Sequence, residues 1–114
     1  FDAVNSALGL RWRINGVTWA DHEAIEVDRD TPSTVLLRNL AGPEHPFHLH
    51  GQFFQILERD GAAVDEPGLR DTVLVPGMQD VLISTRFDNP GRWMAHCHIL
   101  EHAELGMMTE MIVE

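Results

Sequence analysis

Lysine is absent from the sequence, and all eight basic side chains are arginines. Eighteen aspartates and glutamates outnumber them, which gives a formal net charge of −10 at pH 7. Nucleic acid is therefore not an expected partner, because binding to phosphates requires a basic face. A cationic or neutral small molecule suits this charge better, and the acidity also favours solubility.

Long apolar runs are missing as well. No stretch of the sequence approaches the roughly 20 residues of a membrane-spanning helix, so no membrane association is expected. Phe1 to Val4 show neither the basic nor the apolar part of a signal peptide, and a chain with this start is expected to be a processed protein or an excised domain. Its 114 residues predict a single domain over 1–114, with a loose lead-in or linker remnant over 1–8.

Cysteine occurs only once, at Cys97, so an internal disulfide is excluded. A single cysteine is usually a buried and inert side chain. This one lies between His96 and His98, five residues before His102 and ten before Met107. Two imidazoles, one thiolate and a weak thioether are the ligands of a blue copper site. Zinc also binds histidine and cysteine but seldom a thioether, so copper is the favoured metal.

A second block of histidines lies about half the chain upstream, at His45, His48 and His50. It leaves only His22 outside the two blocks, and this histidine is expected to be a solvated surface residue. Side chains alternate between the two faces of an extended strand. If the upstream block is extended, His48 and His50 share one face and His45 lies on the other.

The same alternation separates Cys97 from its two neighbouring histidines, and two half-sites follow. One contains a complete blue copper set, and the other contains four imidazoles without a carboxylate or thiolate: His45, Cys97, His102 and Met107 against His48, His50, His96 and His98. Because one peptide unit separates Cys97 from each neighbour, the chain itself offers a covalent path for an electron between the half-sites.

The sequence contains short runs that are apolar or alternate between apolar and polar residues, and turn sequences such as Asn15-Gly16 and Pro76-Gly77 separate them. These runs predict short β-strands. Residues 59–68 are predicted to form a polar loop, and only residues 99–104 could hold a helical turn. The predicted strands cover residues 10–14, 17–19, 24–27, 34–40, 52–57, 72–75, 81–87, 93–98 and 108–113. This number of short strands predicts a β-sandwich or barrel.

Both motifs resemble those of the last cupredoxin domain of laccase-like multicopper oxidases. His-Pro-Phe-His-Leu-His-Gly at 45–51 and His-Cys-His-x-x-x-His-x-x-x-x-Met at 96–107 carry the resemblance. The flanks 71–73 and 86–93 extend it over essentially the whole chain. The resemblance implies an all-β Greek-key β-sandwich or barrel of the cupredoxin type, and a periplasmic or secreted location, as in the parent family.

The resemblance also implies copper as the cofactor and assigns its ligands. The type 1 ligands would be His45, Cys97, His102 and Met107, the type 2 ligand His48, and the type 3 ligands His50, His96 and His98. A small-molecule or metal-ion reductant would give electrons to type 1 copper. Cys97 would pass them through His96 and His98 to a trinuclear cluster that reduces O2 to water.

Three points stay open. The family completes its trinuclear cluster with two further His-x-His pairs from its first domain, and this chain has none left, so another domain or another copy in a homo-oligomer would supply them. Ala103 stands where many bacterial members carry an acid for proton delivery, although Glu101 and Glu104 flank it. Met108 beside Met107 leaves the axial ligand of type 1 copper ambiguous. The alternative function is a mononuclear blue copper electron carrier without oxygen chemistry.

Overall fold

The structure is a computed structural model that describes the backbone of residues 2–6 and 9–13, and backbone and side chains of residues 23–30, 32–40, 42, 44–98 and 107–114. Every regular element in these ranges is a β-strand, as the sequence predicts. The strands are β1 (Asp2–Ser6), β2 (Gly9–Arg13), β3 (Ile25–Val27), β4 (Ser33–Arg38), β5 (His45–Leu49), β6 (Phe54–Arg59), β7 (Ala62–Arg70), β8 (Thr72–Val75), β9 (Asp80–Thr85), β10 (Gly91–Cys97) and β11 (Met108–Val113). A helix long and apolar enough to cross a membrane does not occur in the described ranges.

The strands form two larger sheets and a separate hairpin. The five-stranded sheet has the order β3-β11-β10-β5-β8, the four-stranded sheet has the order β4-β9-β6-β7, and β1 pairs with β2. Between β3 and β10 the chain passes repeatedly from one larger sheet to the other. This connectivity makes a two-layer sandwich, so the predicted all-β sandwich is confirmed.

The core lies between the facing sides of the two larger sheets. In β9 the alternation is regular, with Val81 and Ile83 buried and the residues on either side of each half-buried. Phe47 and Phe54 meet across the layers, with ring centroids 6.3 Å apart. Fully burying one such side chain stabilises the fold by about 1.5–3 kcal/mol. The buried cluster consists of Leu37, Phe47, Leu49, Phe54, Ile56, Val73, Val75, Val81, Ile83, Phe87, Ala95, Met111 and Val113.

Strands β5 and β10, which carry the two histidine motifs, are neighbours inside the five-stranded sheet. They pair antiparallel, so that His96 lies opposite His48 and Cys97 opposite Phe47. The contact with β5 continues one residue beyond β10, since the His98 amide donates to the Pro46 carbonyl at 2.7 Å. Two motifs about 50 residues apart in sequence are thus held side by side by backbone hydrogen bonds.

Strand β11 connects the rest of this sheet to β3. It pairs antiparallel with β10, where Met108 lies opposite His96, and parallel with β3, where Met111 lies opposite Ile25. The final strand of the chain therefore stands between an early strand and the strand that carries Cys97.

Two predictions about backbone structure were wrong. Residues Asp2–Ser6 of the expected loose lead-in form β1, in register with β2 from Asp2 opposite Arg13 to Ser6 opposite Gly9. Most of the expected loop over 59–68 belongs to β7, which pairs with β6 through irregular register shifts. Strand β7 is mostly exposed, so its sequence lacks the apolar alternation that marks a strand.

Some expectations concern parts of the chain that lie outside the described residues. These are the strand over 17–19, the helical turn over 99–104, and the surroundings of His22 and His102. That residues 1–114 form one domain stays a prediction.

Candidate metal centre

Alternation along β5 separates its two histidines onto opposite faces, as the sequence predicts. His45 is fully buried on the inner face, together with Phe47 and Leu49, whereas His48 is half-buried on the outer face. His50 follows β5 and is half-buried as well. The backbone alone therefore separates one histidine of this block from the other two.

Strand β10 makes the same separation around the cysteine. Cys97 is fully buried, His96 is half-buried and His98 is exposed. The inner face thus gathers His45 and Cys97, while the outer face gathers the other described histidines of both motifs.

The inner pair has the spacing of two ligands on one metal ion. His45 Nδ1 lies 3.4 Å from Cys97 Sγ, and both side chains are fully buried. A nitrogen and a sulfur bound tetrahedrally to one first-row metal at about 2.0 and 2.3 Å lie about 3.5 Å apart. The donor set therefore fits a single ion, and an imidazole with a thiolate suits copper.

Met107 is joined to the inner pair through the backbone of Cys97. Its side chain is fully buried, and its carbonyl accepts a hydrogen bond of 3.2 Å from the Cys97 amide. Met108 pairs with His96 and is only half-buried. The geometry therefore favours Met107 over Met108 as the thioether beside the thiolate, and His102 lies in the undescribed residues 99–106.

The outer cluster brings three imidazoles into contact. One ring nitrogen from each of His48, His50 and His96 lies within 4.8 Å of the others. His50 Nε2 and His96 Nε2 are 2.9 Å apart. Two nitrogens bound to one Cu(II) ion at right angles, the angle that this ion prefers, would be about 2.8 Å apart. The exposed His98 ring stands 5.4 Å from the His48 ring and 5.9 Å from the His96 ring.

Comparison with known proteins identifies the family. The sequence profile described as multicopper oxidase matches residues 2–114 of this chain. The chain belongs to the multicopper oxidase family. Copper is the cofactor of this family, and the buried His45–Cys97 pair and the outer imidazoles are candidate ligands for it.

Individual relatives agree with this family assignment. The chain is 37% identical over 101 residues to the multicopper oxidase MmcO of Mycobacterium tuberculosis, covering 88% of this chain and 19% of that protein. It is 39% identical over 90 residues to the iron transport multicopper oxidase fio1 of Schizosaccharomyces pombe, covering 68% of this chain and 14% of that protein. The chain thus spans less than a quarter of either relative.

Solved structures show the same fold. A laccase from Pediococcus acidilactici superposes with a TM-score of 0.83 at 32% identity, over 100% of this chain and 26% of the laccase. A metallo-oxidase from Campylobacter jejuni gives a TM-score of 0.79 at 29% identity, over 89% of this chain and 22% of the oxidase. The expected cupredoxin-type fold is confirmed by these neighbours.

In this multicopper oxidase domain, backbone carbonyls hold the far sides of two cluster histidines. His96 Nδ1 donates to the Cys97 carbonyl at 2.8 Å. His48 Nδ1 lies 3.0 Å from the Asp71 carbonyl and 3.0 Å from the Thr72 hydroxyl. A neutral His96 that donates through Nδ1 has its lone pair on Nε2, so His50 Nε2–H is the donor between those two rings.

The surroundings of His50 favour its neutral form. Burial lowers the pKa of His50, and the nearby imidazoles of His48, His96 and His98 lower it further, while Asp71 acts weakly in the opposite direction. A metal binds the neutral imidazole, so this shift keeps His50 ready to act as a ligand.

A clamp of four residues fixes the backbone next to His50. The indole of Trp93 covers Gly51, whose φ is +73°, so closely that an added Cβ would lie 2.2 Å from the ring. Trp93 Nε1 donates to the Asn89 carbonyl at 2.9 Å, and Asn89 Nδ2 donates to the Gly51 carbonyl at 2.9 Å. The buried Gln52 amide also donates to the Asn89 carbonyl, at 2.6 Å.

The clamp was not foreseen from the sequence as a set of supporting residues. Trp93 and Asn89 enter the sequence analysis only within the flank 86–93, and Thr72 only within the flank 71–73. In the structure, Trp93 packs partly buried against the core. The Gly51 directly after a histidine motif was the one available signal, since glycine permits a positive φ and close contact.

Proposed function

We propose that this chain is the copper domain of a laccase-like multicopper oxidase that couples oxidation of a reductant to reduction of O2 to water. One observation carries the proposal: the paired strands β5 and β10 hold a buried histidine–cysteine pair on one face and a histidine cluster on the other. Copper bound to such residues supplies one-electron transfer at the inner site and oxygen reduction at the outer cluster. The proposed inner ligands are His45, Cys97, His102 and Met107, and the outer ones His48, His50, His96 and His98.

Cys97 is the proposed connection between the two sites. Its side chain belongs to the inner site, while the residues on either side of it, His96 and His98, belong to the outer face. The hydrogen bond from His96 Nδ1 to the Cys97 carbonyl adds a second, shorter connection to His96. Full burial of Cys97 and His45 keeps bulk water from the thiolate.

A partner surface is proposed to complete the outer cluster. Four imidazoles are too few for three copper ions, and His98 is exposed at the edge of the cluster. The partner is either another domain of a longer oxidase or a second copy of this chain, because a two-fold interface repeats one patch on both sides. The small share of each relative that the chain spans supports the first arrangement.

The proposed substrates are O2 and a small-molecule or metal-ion reductant, such as a phenol, an aromatic amine or a low-valent metal ion. The fission yeast relative is named an iron transport oxidase, which supports metal ions as one reductant class. A periplasmic or secreted location is proposed from the resemblance of the chain to laccase-like oxidases.

A mononuclear blue copper electron carrier is the second candidate. It is favoured by the outer cluster being only half of a trinuclear site within this chain. Such a carrier would use the inner site alone and would leave the outer histidines without a catalytic role.

Copper titration of the chain, followed by solution mass, visible absorption and oxygen uptake, distinguishes the two candidates. An oxidase is expected to bind more than one copper per chain, to gain mass as a partner surface closes over the histidines, and to consume O2 with a reductant. A blue monomer that holds one copper and consumes no O2 contradicts the oxidase and supports the carrier.

Two neighbouring substitutions test the assignment of the two sites. Cys97→Ser is expected to abolish the intense blue colour, because the thiolate supplies the charge-transfer band, while circular dichroism stays unchanged. His98→Ala, at an exposed position on the opposite face, is expected to keep the blue colour and to lower the additional copper bound. A Cys97→Ser variant that stays blue would contradict the inner site.

A further inference from the structure

The side of the His48 ring that faces away from the cluster has an unusually complete set of partners. His48 Nδ1 lies 3.0 Å from the Asp71 carbonyl and 3.0 Å from Thr72 Oγ1. The Thr72 hydroxyl in turn donates to Asp71 Oδ1 at 3.0 Å. The same carboxylate oxygen stands 3.9 Å from His48 Nδ1. A carboxylate, a hydroxyl and an imidazole thus form a short chain at the edge of the sheet.

The donor and acceptor roles of these hydrogen-bonded groups determine which nitrogen of His48 carries the proton. A carbonyl oxygen can only accept, and the single hydroxyl proton of Thr72 is directed to the Asp71 carboxylate. The Thr72 oxygen is therefore an acceptor toward His48. Both neighbours demand a donor at Nδ1, so the neutral ring carries its proton there and keeps the lone pair of Nε2 for the cluster.

We propose that Thr72, supported by the Asp71 carboxylate, is a positioning residue that fixes His48 as its Nδ1–H tautomer and presets Nε2 as a metal ligand. The inference rests on the proposed function, in which His48 binds copper. Partners of this kind behind a ligating histidine fix its tautomer and ring direction, and removing one typically weakens metal binding 10–100-fold.

Thr72 is suited to a test because its hydroxyl is not needed for the sheet. It lies directly opposite His48 in the β5–β8 pair, and its neighbours Val73 and Val75 supply the buried contacts of β8. His96 is held instead by the Cys97 carbonyl, which no substitution removes. His48 Nδ1 is held by the Asp71 carbonyl and also by the Thr72 hydroxyl, and of these two partners the hydroxyl can be removed by substitution.

The test uses 15N NMR of the metal-free 114-residue chain together with Zn2+ titration, in the Cys97→Ser background so that the inner thiolate is absent. The starting protein is expected to show His48 protonated at Nδ1. Thr72→Val keeps the β-branched shape but removes one of the two acceptors at His48 Nδ1. Since the Asp71 carbonyl remains, we expect mixed tautomers rather than a complete change, and Zn2+ binding about tenfold weaker, at the lower end of the usual range. Thr72→Ser is expected to restore both properties, and Thr34→Val, at an exposed position on β4, to change neither.

The outcomes separate the inference from the function on which it rests. A starting protein whose His48 signals do not respond to Zn2+ contradicts the proposed metal site itself. A starting protein that binds Zn2+ through His48, with a Thr72→Val variant of equal affinity and unchanged tautomer, contradicts only the positioning role. Equal weakening in Thr72→Val and Thr72→Ser also contradicts it, because the effect would then not depend on the hydroxyl.

Discussion

The histidines of β5 and β10 differ from their sequence neighbours in what surrounds each ring. His45 shares the inner face with Cys97, whereas His48, three residues later, faces the Thr72 hydroxyl and the other imidazoles. Alternation along an extended chain is sufficient to predict this division, because successive side chains must point to opposite faces. It cannot predict which nitrogen of a ring is protonated, because that depends on partners such as Asp71, which comes 23 residues later.

Met107 is the side chain expected to tune the reduction potential of the inner site. A weak axial thioether adds electron density that favours Cu(II), so Met107→Leu is expected to raise the potential of the copper-loaded protein. We expect a rise of about 60 mV, which corresponds to a tenfold change in the Cu(I)/Cu(II) equilibrium. Voltammetry of the blue protein measures this directly.

Met108→Leu is the matched control, since Met108 is half-buried and lies opposite His96. It is expected to leave the potential unchanged. If Met108→Leu raised the potential and Met107→Leu did not, the axial ligand would be Met108.

An exposed strand was harder to foresee than the strands that have one buried face. β8 and β11 have the predicted bounds, because buried residues alternate regularly along both of them. β7 was missed, because most of its side chains are exposed and its sequence contains Pro67 and Gly68. It is held instead by β6 and by ion pairs, which a hydrophobic pattern does not report.

Gly51 lies in the turn after β5, and among the described glycines it is the one where a larger residue should destabilise the fold most. Gly51→Ala must place a Cβ against the Trp93 ring and adopt a positive φ, so we expect a loss of about 2–5 kcal/mol in the free energy of unfolding. Gly61 is the control, because its φ is +81° and nothing lies within 4 Å of an added Cβ. Gly61→Ala is expected to lose only about 1 kcal/mol.

Chemical denaturation of both variants measures the difference. Trp93→Ala combined with Gly51→Ala should be less than additive, because the ring that clashes has been removed. Equal losses for Gly51→Ala and Gly61→Ala would mean that the Trp93 contact does not constrain the turn.

The ion pairs of β7 make a prediction about acid stability. Glu66 accepts bonds of 2.7 and 2.9 Å from Arg59, and this pairing, with the charge of Arg70, holds the pKa of Glu66 below its usual 4.5 against the opposing effect of burial. A carboxylate with a lower pKa in the folded state stabilises the fold above the unfolded pKa and loses this effect as pH falls through the folded value. Glu66→Gln should therefore flatten the decline in unfolding free energy below about pH 4.5.

Denaturation at several pH values from neutral to acid checks this, and Arg59→Gln should flatten the same part of the curve. A Glu66→Gln curve parallel to the starting protein at every pH would show that the pair has no stabilising role.

The two outer faces of the sandwich are expected to differ in their contacts with other chains. Leu74 is 46% exposed and lies opposite Pro46 in the β5–β8 pair, beside the His48–Thr72 pair. Leu36 is 51% exposed on β4 of the other sheet. Leu74→Arg is expected to abolish the copper-dependent mass increase of the chain while keeping the blue inner site, because a charged side chain cannot be buried unpaired in an interface.

Leu36→Arg should leave the mass increase intact, since that leucine is on the opposite layer from the histidines. Light scattering during copper addition measures both variants. Loss of association in Leu36→Arg alone would place the contact surface on the four-stranded sheet and separate it from the histidine cluster.

The position of β11 also has a consequence for the order in which a ribosome can build this protein. β10 reaches β3 only through β11, and the buried Met107 stands directly before β11. The five-stranded sheet therefore cannot close while residues 108–113 are still inside the exit tunnel, even though both histidine motifs have already been synthesised. The proposed inner site is complete only once β11 has joined β10, because this pairing places the buried Met107, so synthesis of the two histidine motifs does not by itself assemble it.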